Sequence, residues 1–116
     1  LALIDARKGL NMFRKVDVPL LGIVENMSHF LCTECGARHE IFGNGGAKAE
    51  AAKLGVPFLG EVPLEMAIRA TSDEGTPIVA SQPNSPHSEH YRAIALTVLE
   101  TLHRNAPKPG PKIVVD

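Results

Sequence analysis

Two short apolar runs constrain the fold of this chain most strongly. They are residues 19–24 (PLLGIV) and 57–62 (PFLGEV), each beginning with proline. The first run does not alternate between apolar and polar residues, which is typical of a central strand buried on both faces. Segments with helical periodicity lie before, between and after the two runs. The pattern therefore predicts parallel strands with flanking helices, an α/β fold.

The segment before the first run has the periodicity of an amphipathic helix. Leu3, Ala6 and Leu10, followed by Phe13, recur at roughly helical spacing. We therefore predict a helix over residues 2–15 with one buried apolar stripe. Polar Glu25 and Asn26 follow the first run, so we expect that strand to end there.

The middle of the chain divides into short elements. We predict a loop over residues 27–40, a brief extended return at 40–42, a glycine turn at 43–46, a helix over 47–54 ended by Gly55, a strand stopped by Pro63, a helix over 64–71 and an extended piece over 76–80. The glycine turn lacks the G-x-x-x-x-G-K-[ST] spacing of a phosphate-binding loop. Tight turning explains these glycines better than phosphate binding.

The last helix is the clearest element of the sequence. Ser85 is suited to cap its start, and Pro86 occupies the first helical position. Its apolar face comprises Tyr91, Ile94, Ala95, Val98, Leu99 and Leu102. These positions predict a helix of about 18 residues. The proline-rich residues 105–116 are predicted to form an extended or disordered tail.

Composition excludes several classes of function. The chain has 116 residues, with 12 basic and 13 acidic side chains and a formal net charge of −1. This balance provides no basic surface for nucleic acid or an anionic membrane. No apolar run approaches the roughly 20 residues that span a bilayer. The N-terminal residues lack a signal-peptide pattern, so we expect a cytoplasmic protein. The chain begins within a helical pattern and without Met, so we expect it to be part of a longer protein.

The two cysteines of the chain form a single Cys-x-x-Cys pair. Cys32 and Cys35 can point at one metal because the two residues between them turn tightly. Such a pair suits zinc or an iron–sulfur cluster, and in other settings it exchanges disulfides. The disulfide-exchange reading ranks low, since Gly36 and the residues after it make a poor helix start.

Two thiolates are half of the usual four-ligand set. His29 and His39 could complete a mononuclear site within one chain, although either is more often a plain loop residue. Alternatively, a two-fold axis brings two cysteine pairs together around one metal or cluster. In that arrangement dimerisation and metal binding are one event.

The chain also resembles a known family over about residues 1 to 100. The segments that carry this resemblance are residues 5–9 (DARKG), 19–28 (PLLGIVENMS), 32–36 (C-x-x-C-G), 41–46 (I-F-G-x-G-G), 57–64 (PFLGEVPL) and 73–77 (D-x-G-x-P). They are similar to the Mrp/ApbC family of iron–sulfur cluster carriers, which are P-loop ATPases of the MinD and nitrogenase-iron-protein type. The resemblance implies that residues 1–104 are the C-terminal portion of such a domain, with its metal-binding loop at 27–40.

The resemblance also implies roles for particular residues. Cys32 and Cys35 correspond to the cysteines that hold a bridging, labile [4Fe–4S] cluster in a homodimer, which passes it to apo iron–sulfur proteins. Asn26 corresponds to the asparagine that binds adenine. Pro63, Leu64 and Glu65 correspond to the segment lining the adenine pocket. Against these roles, Asn26 could simply close a strand end and Pro63 could simply stop a strand.

One part of the family pattern is absent from these residues. ATP and magnesium binding in the family depends on a Walker A loop, whose amides and lysines hold the phosphates. No such loop occurs in the 116 residues. We therefore expect no ATP hydrolysis by this chain alone, and a sheet edge exposed where further strands would pair. The alternative function is a structural zinc module in which the cysteines only pin a loop or a dimer interface.

Overall fold

The computed structural model describes residues 1–105 and residue 110. Its elements are α1 (Ala2–Lys15), β1 (Ile23–Leu31), β2 (Arg38–His39), α2 (Gly46–Leu54), β3 (Phe58–Leu64), α3 (Met66–Asp73), α4 (Ile78–Ser81) and α5 (Pro86–Arg104). β1 lies between β2 and β3, parallel to β3 and antiparallel to β2. The α/β class with a parallel strand pair and flanking helices is confirmed. Most of the predicted tail at 105–116 lies outside the described residues.

Glycines allow two close approaches, one between β1 and the chain leading into β3 and one between β3 and α5. At the start of β1, Ile23 N–H donates to Pro57 O at 2.8 Å. A Cβ on the preceding Gly22 would come within 2.6 Å of that same oxygen. On β3, a Cβ on Gly60 would meet Ile94 Cγ1 of α5 at 2.8 Å. A side chain at either position would therefore clash with its neighbour.

Three predicted helices are confirmed. α1 covers the predicted residues, and α2 ends at Gly55, which adopts the left-handed conformation with φ of 65°. α5 begins as predicted, because Ser85 Oγ accepts a hydrogen bond from Ser88 N at 3.2 Å and Pro86 follows it. Helix caps such as Ser85 and Gly55 act within one turn of the backbone, so these helix ends can be predicted from the local sequence.

Both predicted strand ends are wrong. β1 runs past Glu25 and Asn26 to Leu31, and its last residues pair with β2, so the loop is shorter than residues 27–40. The return strand is Arg38–His39 and not 40–42. β3 continues through Pro63 to Leu64. Proline is tolerated there because β3 is an edge strand, on which a missing N–H leaves no partner unsatisfied.

Two later elements also differ from prediction. The helix predicted over 64–71 is displaced to α3, because β3 occupies its first residue. Residues 76–80, predicted as extended, contain the short helix α4 instead. Pro77 precedes that turn and its carbonyl accepts from Ala80 N and Ser81 N at 2.9 and 3.0 Å. The turn buries Ile78 beside α5, a tertiary contact that outweighs the β-propensity of Ile78 and Val79.

Burial is incomplete on several predicted apolar faces. Of the α1 stripe only Leu10 is buried, while Leu3 and Phe13 remain exposed. Leu99 and Leu102 of α5 are exposed as well. Within the described part of the chain, no strand pairs with the free side of β1 before Phe30. No helix described here is long and apolar enough to cross a membrane.

Candidate metal centre

The cysteine pair lies at the tip of the β1–β2 hairpin. Phe30 pairs with His39 and Leu31 with Arg38, which leaves residues 32–37 as the connection, here called the cysteine loop. Cys32 N donates to Ala37 O at 2.9 Å, and Gly36 N donates to Cys32 O at 2.8 Å. Gly36 has a φ of 70°, a conformation that glycine adopts at little cost. These bonds close the loop into a defined turn.

The backbone of the cysteine loop affects the first thiol. Backbone N–H groups of Cys35 and, to a smaller extent, Glu34 lower the pKa of the Cys32 thiol because they stabilise its thiolate. The Cys35 side chain acts in the same direction, and partial burial opposes it. Both cysteines are free, with Cys32 half-buried and Cys35 exposed. Since the thiolate is the form that binds soft metal ions, the lowered pKa favours the ligand form of Cys32.

A complete ligand set does not form within the described residues. No group of three or more His, Cys, Asp or Glu side chains there could hold a metal ion. His29 is buried, with Nδ1 3.1 Å from Ser28 Oγ and 3.9 Å from Glu61 Oε1. His39 lies beside Phe30, with ring centroids 6.3 Å apart. The single-chain site completed by these histidines is therefore absent from the described part of the chain.

A bulge in β1 links the cysteine loop to the strand interior, and sequence reasoning missed it. The β1–β3 register shifts between Asn26 and Phe30, where Met27 has a φ of 53°. Asn26 Oδ1 accepts from Met27 N at 2.9 Å, and buried Ser28 donates to Val62 O at 3.2 Å. The hydroxyl thus anchors the bulged strand to β3. Polar Glu25 and Asn26, from which a strand end was predicted, instead lie just before the bulge.

The residues expected to bind adenine do not line one cavity. Asn26 pairs in register with Val62, so it lies beside Pro63 in the sheet. Yet Asn26 lines a cavity of about 530 Å³ with residues of α1, the rest of residues 23–27, residues 42–44 and residues 46–47. Leu64 and Glu65 line a separate cavity of about 270 Å³ near the hairpin, and Pro63 is buried. Their adenine role stays a prediction.

A long-range ion pair also escaped sequence reasoning. Arg7 on α1 donates through both Nε and Nη2 to the carboxylate of buried Glu50 on α2, with Nη2 2.6 Å from Oε2. This bidentate contact lowers the pKa of Glu50, chiefly through the hydrogen bond. No local pattern pairs residues 43 positions apart. The pair joins the two helices that flank the larger cavity.

Comparisons with known proteins agree with this architecture. The chain is 45% identical over 119 residues to the iron–sulfur cluster transfer protein NUBPL of Dictyostelium discoideum, covering 98% of the chain and 37% of that protein. It is 48% identical over 103 residues to the iron–sulfur cluster carrier protein of Escherichia coli, covering 89% of the chain and 28% of that protein. The chain thus spans about a third of the length of these relatives.

A solved structure and a family model point in the same direction. The structure is a nucleotide-binding protein from Archaeoglobus fulgidus in complex with ADP, at a TM-score of 0.57 and 33% identity over 71% of the chain and 32% of that protein. The family model, described as ParA: NUBPL iron-transfer P-loop NTPase, matches residues 1–99. The resemblance to the Mrp/ApbC carriers is thereby confirmed. The chain belongs to the family of NUBPL iron-transfer P-loop NTPases.

Proposed function

We propose that this protein is an iron–sulfur cluster carrier that binds a labile [4Fe–4S] cluster through Cys32 and Cys35, shared between two copies. The observation that carries the proposal is the geometry of the cysteine loop. Two free thiols lie three residues apart in the six-residue loop at a hairpin tip, with Cys32 half-buried and Cys35 exposed. Two thiolates per chain match half the ligands of such a cluster, and a two-fold axis supplies the other half.

Exposure of the site suits a carrier more than a storage site. Cys35 is exposed and only residues 32–37 form the loop, so incoming thiolates of an apo iron–sulfur protein can reach the cluster. Each incoming thiolate replaces one cysteine of the carrier, and the displaced thiolate takes up a proton or awaits the next cluster. No electron transfer is required for this ligand exchange. A fully enclosed four-cysteine site would release its cargo more slowly.

The nucleotide half of the function is proposed on narrower grounds. Residues 1–104 are proposed as the C-terminal portion of the ATPase domain, with Asn26 and the segment 63–65 facing adenine. The ADP-bound relative from A. fulgidus supports this assignment. The chain is expected not to turn over ATP by itself, because its 116 residues include no phosphate-binding loop. Phosphate release above background from pure protein would contradict that expectation.

The location of the protein stays a prediction. The cytoplasm is proposed from the free cysteine pair, which suits a reducing compartment. The relatives include a bacterial carrier protein and an Arabidopsis thaliana protein whose name describes it as mitochondrial. Both the cytoplasm and the mitochondrial matrix keep thiols available for metal.

Anaerobic reconstitution with ferrous iron and sulfide tests the central proposal. The wild-type chain is expected to take up about four iron atoms per dimer and to show sulfur-to-iron charge-transfer absorbance. Cys32→Ser removes one ligand per chain. Iron uptake should therefore fall at least about tenfold, because losing even a residue that only hydrogen-bonds to a metal ligand weakens metal binding by about that factor. Thr33→Ala changes the same loop without touching a ligand and should load normally.

Two results would contradict the proposal. Unchanged iron content in Cys32→Ser would show that the cysteine pair does not hold the cluster. Stoichiometric zinc binding with no uptake of iron and sulfide under anaerobic conditions would favour the structural zinc module instead.

A further inference from the structure

The cysteine loop contains one turn of helical type. Gly36 N donates to Cys32 O at 2.8 Å, a bond across four residues that closes an α-turn. Cys32 and Cys35 are three residues apart within this turn, and at helical spacing such residues have Cβ atoms about 5–6 Å apart. The Cβ atoms of a disulfide are only about 3.5–4.5 Å apart. The turn therefore spaces the two side chains more widely than a direct sulfur–sulfur bond requires, and both cysteines are free.

A metal ion between the two sulfurs fits this wider spacing better than a disulfide does. A metal–thiolate bond is about 2.3 Å long, so an ion held between two thiolates separates the sulfurs by up to about 4.6 Å. A sulfur–sulfur bond is only about 2.0 Å long. One chain thus offers two thiolates that an ion can bridge while the turn keeps its hydrogen bonds.

The number of available ligands decides which ion one chain can satisfy. Within the residues that the structure describes, no group of three or more His, Cys, Asp or Glu side chains could hold a metal. The Glu40 carboxylate after the loop is paired with Arg38, whose Nε lies 2.6 Å from Oε1. Structural zinc and iron–sulfur clusters take four protein ligands, which these residues do not supply. Cu(I), in contrast, is a soft cation that two thiolates satisfy.

We propose that a single chain binds one Cu(I) ion between Cys32 and Cys35, without ligands from a second copy. Each thiol releases its proton as the ion binds, so the ion and the two thiolates together carry one negative charge. Copper enters and remains as Cu(I), and no electron is transferred.

Copper binding by one chain does not depend on the proposed cluster, but the two compete for the same thiols. A shared cluster needs the cysteine pairs of two chains, whereas Cu(I) occupies both thiols of one chain. A copper-bound chain therefore has no free cysteine to offer a cluster until the ion is removed. Because Cys35 is exposed, a competing thiol or chelator can reach the ion.

Anaerobic titration with Cu(I) tests this site. Reduced, metal-free protein competes with the coloured chelator bicinchoninate for Cu(I), which is added as its acetonitrile complex. The wild type should take up one ion per chain at every protein concentration, and its mass in sedimentation equilibrium should not change on loading. Cys32→Ser and Cys35→Ser should each raise the dissociation constant for Cu(I) at least about a hundredfold, because each removes one of two ligands.

Two control variants change residues that are not ligands in this proposal. Thr33→Ala alters the loop between the cysteines and should bind Cu(I) like the wild type. Met66→Leu removes an exposed thioether, which is also a soft ligand, and should likewise leave Cu(I) binding unchanged. Zinc titrated in parallel should bind the single chain much more weakly than Cu(I), since zinc lacks two of its four ligands there.

Several results would overturn the copper site. Half an ion per chain, with uptake that rises with protein concentration, would place the copper between two chains. Unchanged binding in Cys32→Ser, loss of binding in Met66→Leu, or zinc held as tightly as Cu(I) would each contradict it. Loading separate samples with iron and sulfide distinguishes the two hypotheses: copper uptake without cluster formation contradicts the carrier function alone, and cluster formation without copper uptake contradicts the copper site alone.

Discussion

The two halves of β1 differ in a way that neither hydropathy nor strand length suggests. In the first half, up to Met27, the side away from β3 has no strand partner in the described chain, and apolar Val24 and Met27 are exposed. In the second half, polar Ser28 and His29 are buried and the strand pairs on both sides. Burial is thus opposite to the usual preference of these residue types.

The two halves of β1 differ in whether their backbone edges are paired. The second half, with its bulge, β2 and the end of β3, satisfies its own polar groups and presents the cysteine loop. The first half presents an unpaired edge beside the 530 Å³ cavity, the kind of edge that a further strand can extend. The candidate metal centre therefore lies on the part of the sheet that the described residues complete by themselves.

The strongest test of this contrast removes the anchor of the second half. Ser28→Ala deletes the hydroxyl that donates to Val62 O and leaves His29 Nδ1 without that partner. Because both groups are buried, the free energy of unfolding should fall by about 1–3 kcal/mol. Urea unfolding followed by circular dichroism measures the change.

Ser72→Ala provides the control for that measurement. Ser72 also donates to a carbonyl, Ile68 O at 2.7 Å, but it is exposed on α3. Its loss should change stability by no more than about 0.5 kcal/mol. Equal effects of the two substitutions would mean that the bulge is not anchored through Ser28.

A weaker effect is expected from charging the open half. Val24→Lys places a charge on the free edge of β1, where Val24 is 41% exposed. We expect metal-free chains to associate through this open edge. Because lysine on an edge strand opposes edge-to-edge pairing, Val24→Lys should weaken that association by about tenfold while the fold is kept. Val79→Lys on α4 is the control, since Val79 is 38% exposed and lies on no strand.

Sedimentation of the metal-free chain over a range of concentrations separates these variants. The cluster loading proposed for the cysteine loop should be unaffected by Val24→Lys, because that loop lies beyond the bulge. If Val79→Lys dissociates the metal-free protein as strongly as Val24→Lys does, the open edge is not what drives association.

Local signals explain why some elements could be predicted. Ser85, Pro86 and Gly55 act on the backbone within one turn, so the ends they specify are where the structure has them. The α/β class follows equally from apolar runs between helical segments. The cysteine loop was predictable as a candidate because the spacing of Cys32 and Cys35 is itself local.

Other features depend on contacts that a sequence does not display. β1 continues past Asn26 through a bulge, although the polar residues predicted an end there. The bulged strand stays paired because Ser28 donates a hydrogen bond to a carbonyl of β3. Pro63 stays in β3 because that strand is at the edge of the sheet. The ion pair of Arg7 and Glu50 joins two helices far apart in the chain. The expected adenine residues are assigned by resemblance to a family, and a resemblance does not determine the cavity that each side chain lines.

The smallest effect concerns reactivity alone and compares the cysteine loop with an unstructured thiol. Amides of Cys35 and Glu34 lower the pKa of Cys32, so at any given pH a larger fraction of it is thiolate than in an unstructured chain. The alkylation rate of Cys32 should therefore rise with pH through a midpoint below that of the same residue in the urea-unfolded chain. Iodoacetamide labelling followed by peptide mass spectrometry measures both midpoints in one series.

Gly36→Ala strains the left-handed turn that orients those amides and should move the folded midpoint upward toward the unfolded one. Identical midpoints for the folded and unfolded wild type would mean that the loop does not prepare the thiolate, and that the metal or cluster itself must deprotonate Cys32 as it binds.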